Sequence, residues 1–233
     1  MKKISHPSGK LITFNSQWHQ YSMDGCGTLK SVSKVLDKHF PFDEARVSSI
    51  VSGKTGQTPA EVTAGWKRQA VLGKNIHAYI EAKLRNEPPP VVPAASPMLG
   101  LAGTIDFLGR NKRTGAILVG DWKTSGSVTS SFRFGSFETP AIGMLSHLPN
   151  AKLYRYAMQI MIYGFMLRLE GYDSMFGPEL LTKPIEYGII QMSKTETGDV
   201  DLEFKKVCDS TILPLEGEMG VDELLRAVIR GGM

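Results

Sequence analysis

The chain has 233 residues, 42% of them apolar and 21% charged, enough for one sizeable core and the make-up of an ordinary globular domain. Two isolated cysteines, Cys26 and Cys208, exclude a disulfide framework and a four-cysteine zinc or iron–sulfur site, and suit a reducing, cytoplasmic setting. The formal net charge of +4 permits a polyanionic partner without selecting one, so the location of the charge matters more than its sum.

No apolar run approaches the roughly 20 residues of a membrane span, so no membrane partner is expected. Met1-Lys2-Lys3-Ile4-Ser5 is basic but turns polar at once, unlike a secretory signal. After the turn Pro7-Ser8-Gly9, the run Lys10 to Phe14 reads as a short strand or hairpin. A helical region is expected over 28–86. Its first helix covers Thr28 to Phe40, with Leu29, Val32, Val35 and Leu36 at helical spacing, and stops before Pro41. A turn-rich stretch through Gly53 and Gly56 follows. Thr58-Pro59-Ala60-Glu61 then supplies an N-cap, a first-turn proline and a capping-box acid for a helix to about Asn86, bent or broken near Gly73 and ended by Pro88-Pro89-Pro90.

Leu101 to Leu108 and Ala116 to Lys123 are short apolar-rich runs around Gly109-Arg110-Asn111-Lys112-Arg113-Thr114-Gly115, the composition of a turn, so residues 101–123 read as an antiparallel hairpin. The stretch 124–150 is rich in Gly, Ser and Pro and carries Phe132, Arg133, Phe134, Phe137 and His147, the make-up of a lid-like insertion. A strong helix occupies Ala151 to Leu169 and ends near Gly171. Ile185 to Met192 and Val200 to Phe204 read as strands about Thr197-Gly198-Asp199, and Val221 to Ile229 as a terminal helix. The fold expected is α/β in one domain over 1–233: a central mixed β-sheet holding the hairpin, flanked by helices.

Side chains alternate along a strand, so Ile117, Val119, Asp121 and Lys123 share one side and Leu118 and Trp122 the other. A turn centred on Arg113 sets Asp106 opposite position 120; one centred half a residue later sets it opposite Asp121. On a shared face the two carboxylates come within about 5 to 8 Å, repel, and raise one pKa. A divalent cation removes the conflict, and oxygen ligands with water suit magnesium or manganese. Lys123 beside them can position or help deprotonate a water and stabilise charge on a phosphate. The plainer alternative is that one aspartate caps a turn and the other pairs with Lys123 at the surface.

Gly103-Thr104-Ile105-Asp106, Asp121-Trp122-Lys123-Thr124 and the helical Gln159-Ile160-Met161-Ile162-Tyr163, together with Gly73-Lys74-Asn75-Ile76-His77 upstream, form an ordered set over roughly Ser31 to Leu167. The set resembles the PD-(D/E)XK nuclease superfamily, and within it the RecB-like branch that includes mitochondrial genome maintenance exonucleases and Cas4-type nucleases. The resemblance implies a restriction-endonuclease-like core. It implies Asp106, Asp121, His77 and the Trp122 carbonyl as metal ligands, Lys123 as the catalytic lysine, and Gln159 and Tyr163 as groups that orient DNA or the catalytic side chains. Ile105 stands where the superfamily often has proline, and the second acid is aspartate. The cysteine-bound cluster of Cas4-type nucleases has no counterpart, so that subfamily is disfavoured.

His77 and Glu81 lie four residues apart on one helical face, which makes Glu81 either a support for the ligand or a partner for Lys74 or Arg85. A lone histidine is also a common packing residue. Lys152, Arg155, Tyr156, Gln159 and Tyr163 follow helical spacing as a basic and aromatic stripe, either a solvated face or a surface for phosphates and stacked bases. The function expected is magnesium- or manganese-dependent cleavage of DNA by a monomer. Single-stranded ends are favoured by resemblance, in replication, recombination or repair, and segment 124–150 arches over the strand. A non-catalytic nucleic-acid-binding module of a larger assembly and a restriction-type endonuclease are the rivals. Phage, bacterial and organellar origins suit the length equally.

Overall fold

The computed structural model describes residues 2–15, 17–84, 92–124, 139–194, 200–214 and 219–233, without the side chains of 2, 79, 81–84, 194 and 200. The chain opens as an antiparallel meander of β1 (Lys2–Ser5), β2 (Leu11–Asn15), β3 (Gln20–Met23) and β4 (Gly27–Ser31). The expected hairpin after Pro7-Ser8-Gly9 is the β1–β2 turn, closed by the His6 amide donating to the Lys10 carbonyl at 2.8 Å. Ile12, Tyr21, Met23 and Leu29 point into a small core with Ala95 and Ala102.

Leu29 belongs to that strand core, so α1 (Val32–His39) begins four residues later than the apolar spacing suggests. Its start is set by Ser31, whose hydroxyl accepts from the Lys34 amide. The stretch read as turn-rich is largely α2 (Glu44–Thr55), capped by Asp43 and ended at Gly56 with φ 72°. The α3 helix (Pro59–Leu84) begins at the expected capping box, with the Glu61 carboxylate 2.8 Å from the Thr58 hydroxyl. It runs through Gly73 without a break. A Cβ there would lie 3.0 Å from Thr124 Oγ1, so this glycine serves a close approach and not a kink.

The segment expected as one strand over Leu101 to Leu108 divides at Asp106. Before it, β5 (Val92–Ser96) pairs antiparallel with β6 (Leu101–Ile105), which also pairs parallel with β4, giving a six-stranded mixed sheet in the order β1-β2-β3-β4-β6-β5. After it, β7 (Phe107–Arg110) pairs antiparallel with β8 (Ile117–Lys123), which runs parallel to β9 (Glu186–Lys194), itself antiparallel to β10 (Val200–Val207). The structure is thus α/β with mixed sheets flanked by helices, but the described residues form two sheets in place of one central sheet. The chain passes between them at Asp106.

Helix α4 (Lys152–Leu169) packs on β5, β6, β8 and β9, with α1 on another side. Residues Ile160 through Leu167 are all buried, while the less covered positions Lys152, Arg155, Tyr156 and Gln159 of the expected stripe lie in the first half of the helix. Short helices α5 (Asp173–Phe176), α6 (Glu179–Thr182) and α7 (Asp209–Ile212) and the terminal α8 (Val221–Gly232) complete the layer. Among the described residues no helix is long and apolar enough to cross a membrane.

Residues 139–150, the described part of the expected lid, form a fixed corner. Ala141, Leu145 and Leu148 enter the main core. The buried His39 ring meets the carbonyls of Ile142 and Val228 at 3.1 and 2.8 Å, tying this corner and α8 to α1. His147 contacts the Ile212 carbonyl at 2.7 Å. Residues 125–138, with Phe132, Arg133, Phe134 and Phe137, lie outside the described residues.

Candidate active site

Phe107 opposes Gly120 and Leu108 opposes Val119, so one further step places Asp106 opposite Asp121, the second of the two registers. Alternation along β8 buries Ile117, Val119 and Asp121 on the α4 side. The Lys123 ammonium lies 2.5 Å from Asp121 Oδ2, with 16% and 2% of the two side chains exposed. The plainer surface pairing is therefore excluded: the pair exists, but inside the protein. His77, from α3, sets Nδ1 3.4 Å from Asp106 Oδ2, and the Trp122 amide donates to the same oxygen at 3.4 Å. Tyr156 completes the setting of Lys123, whose Nζ stands 4.3 Å from its ring centroid.

Burial, and then the charge of and hydrogen bond with Asp121, push the Asp106 carboxyl well above its ordinary range, against the opposing pull of Lys123. Desolvation lowers the Lys123 pKa, but Asp121 and Asp106 outweigh it and the ammonium is held above the usual lysine value. His77 is held below its ordinary value by burial and by Lys123, with Asp121 and the Trp122 backbone pulling the other way. The site is therefore acidic, with one carboxyl protonated beyond the usual range and one ammonium kept charged.

Asp121 Oδ2 is buried and lies directly against the Lys123 ammonium, 2.5 Å away. Two neighbouring carboxyls with an imidazole and the Trp122 backbone beside them make a donor set that fits a hard divalent cation. Among the described residues no three His, Cys, Asp or Glu side chains close a metal cage alone, so such a cation would need backbone, water or substrate oxygens to complete its shell.

Gln159 and Tyr163 reach this site, the amide donating to the Tyr163 hydroxyl at 3.2 Å. The Tyr163 ring packs over Gly103, where a Cβ would collide with it. Lys152 lines the same cavity. Arg155 does not: its guanidinium pairs with Asp37 at 2.7 Å and reaches the Ser33 carbonyl at 3.4 Å. The Glu81 side chain lies outside the described residues. The cavity measures 1310 Å³ and extends past the acidic pair to Phe14, His19, Tyr21, Phe42 and Trp66. Sequence reading missed these five. The signal for Trp66 was available, since it precedes His77 by eleven residues, three turns along one helical face.

No family model, curated protein or solved structure significantly matches the chain.

Proposed function

We propose that this protein is a divalent-cation-dependent nuclease that hydrolyses DNA phosphodiesters on a restriction-endonuclease-like core of the PD-(D/E)XK, RecB-like type. The observation that carries this reading is the meeting of Asp106, Asp121, His77 and Lys123 in one cavity, with the Asp121 carboxylate buried against the Lys123 ammonium. Magnesium or manganese held by Asp106, Asp121, His77 and the Trp122 carbonyl would neutralise phosphate charge and acidify an attacking water. Lys123, kept protonated by its two carboxylate neighbours, suits the stabilisation of charge growing on a phosphoryl oxygen better than the role of base. Tyr156 restricts where that ammonium can swing, and the Gln159–Tyr163 bond braces the floor beneath the acids. The same reading takes single-stranded ends as substrate, in replication, recombination or repair. The free, exposed thiols of Cys26 and Cys208 suit a reducing compartment.

End-labelled single- and double-stranded DNA of one sequence, incubated with magnesium, manganese or chelator, tests the reading. Scission with either metal, lost in chelator and in Asp121→Ala, is expected. Cleavage that survives in both Asp121→Ala and Lys123→Ala rejects it. Salt-sensitive binding with no scission under any metal would instead establish the non-catalytic module, and discrete fragments from duplex a restriction-type enzyme.

A further inference from the structure

The cavity is longer than a metal site requires. One wall is a single face of α3, where Trp66, Gln69, Ala70, Gly73, Lys74 and His77 recur at three- and four-residue spacing. The eleven residues from Trp66 to His77 span about 16 Å of helix. That is roughly five stacked nucleotides at about 3.4 Å each. At the far end Phe42, 62% exposed, meets Trp66 edge-on with ring centroids 5.6 Å apart. An exposure of that size rules out a core role for Phe42 and leaves a ring in the cavity wall.

A second group of rings comes from the β2–β3 hairpin. Phe14 stacks on Tyr21 with centroids 4.6 Å apart, and His19 stands edge-on to Phe14 at 5.3 Å. Among the described residues His19 is the one non-glycine residue with positive φ, 47°, an unfavourable backbone for an L residue, and its ring lines the cavity. Desolvation, then the charges of Lys34 and Lys74, hold its pKa below the ordinary value, which favours the neutral ring.

We propose that Phe42–Trp66 and Phe14–His19 are two stations for unpaired nucleobases, so that the protein grips a single strand by its bases while Asp106 and Asp121 face its backbone. Stacking on aromatic rings is sequence-tolerant but needs a free base face, which a stacked duplex does not offer. Lys74 and Lys152, lining the same cavity, supply positive charge for the phosphates. The inference rests on the nuclease reading for the role of the acidic pair, while base recognition is measurable without cleavage.

The test is binding in chelator, by anisotropy, of a labelled strand of about ten nucleotides, within the site sizes of single-strand binders. The competitors are an abasic strand of equal length and charge and the matching duplex. The wild type should prefer the base-bearing strand over the abasic strand by about tenfold or more. Phe42→Ala/Trp66→Ala should lower that preference severalfold with abasic affinity unchanged, adding Phe14→Ala/His19→Ala should abolish it, and Trp66→Tyr, which keeps a ring face, should retain it. Wild-type binding of the abasic strand or the duplex as tightly as the base-bearing strand overturns the proposal and needs no variant. An unchanged preference in a folded double variant does so too. Base preference with no metal-stimulated scission would overturn the nuclease reading and leave this one standing.

Discussion

Lys123 reaches Asp121 from two positions along the same strand, and the ammonium stands 2.5 Å from a carboxylate oxygen that is almost closed to solvent. The two opposite charges are buried against each other, and the two should behave as one unit. Asp121→Asn and Lys123→Met are each expected to slow cleavage of labelled single-stranded DNA by about 10²- to 10⁴-fold. The double variant should be little worse than the poorer single, as for groups that act together. Initial rates check this, and a double variant whose loss equals the product of the two singles would show that they act independently.

Asp106 bears on stability as well as on chemistry. Its carboxyl is raised in the folded state, so the fold binds that proton more tightly than the unfolded chain does. The stabilisation is complete below the ordinary carboxyl value, about 3.9, and is lost as pH rises through the raised folded value. In chelator the wild type should lose melting temperature across that window. Asp106→Asn should remove this slope and melt higher at pH 8, by roughly 2–4 °C for each kcal/mol relieved. Magnesium should raise the wild-type melting temperature more than that of the variant. Matching slopes for the two proteins in chelator would refute the assignment.

Gly103 lies beneath the Tyr163 ring, with no room for a methyl group. Gly103→Ala should therefore displace that ring and weaken the Gln159–Tyr163 bond, destabilising the fold by about 1–3 kcal/mol. Thermal melting should show the loss, and a variant as stable as the wild type would mean the ring has another place to go.

His39 joins three parts of the chain by meeting the Ile142 and Val228 carbonyls. His39→Ala removes the ring that bridges these two carbonyls and leaves a cavity in the core. A destabilisation of about 2–4 kcal/mol is expected from denaturant midpoints. A change within error would show that the corner at 139–150 holds without the ring.

Local signals carried much of this protein. The capping box at Thr58 to Glu61 marked the start of α3, the glycine-rich turn marked β7–β8, and two-residue alternation put Asp121 and Lys123 on one side of a strand. Each depends on neighbours within a few residues, where backbone geometry allows few alternatives. The helix over 44–55 was hidden because Gly53 and Gly56 resemble a turn, although Asp43 in front of it is a proper cap.

The pairing of distant segments was not legible in the same way. Periodicity says which side of an element is apolar but not what will cover it. For that reason the division of Leu101 to Arg110 between two sheets, the burial of α4, and the capture of Arg155 by Asp37 emerged from packing alone. The same holds for the site: the acids could be named from their strands, but their register, the arrival of His77 from α3 and the aromatic length of the cavity depend on how remote surfaces compete for one core.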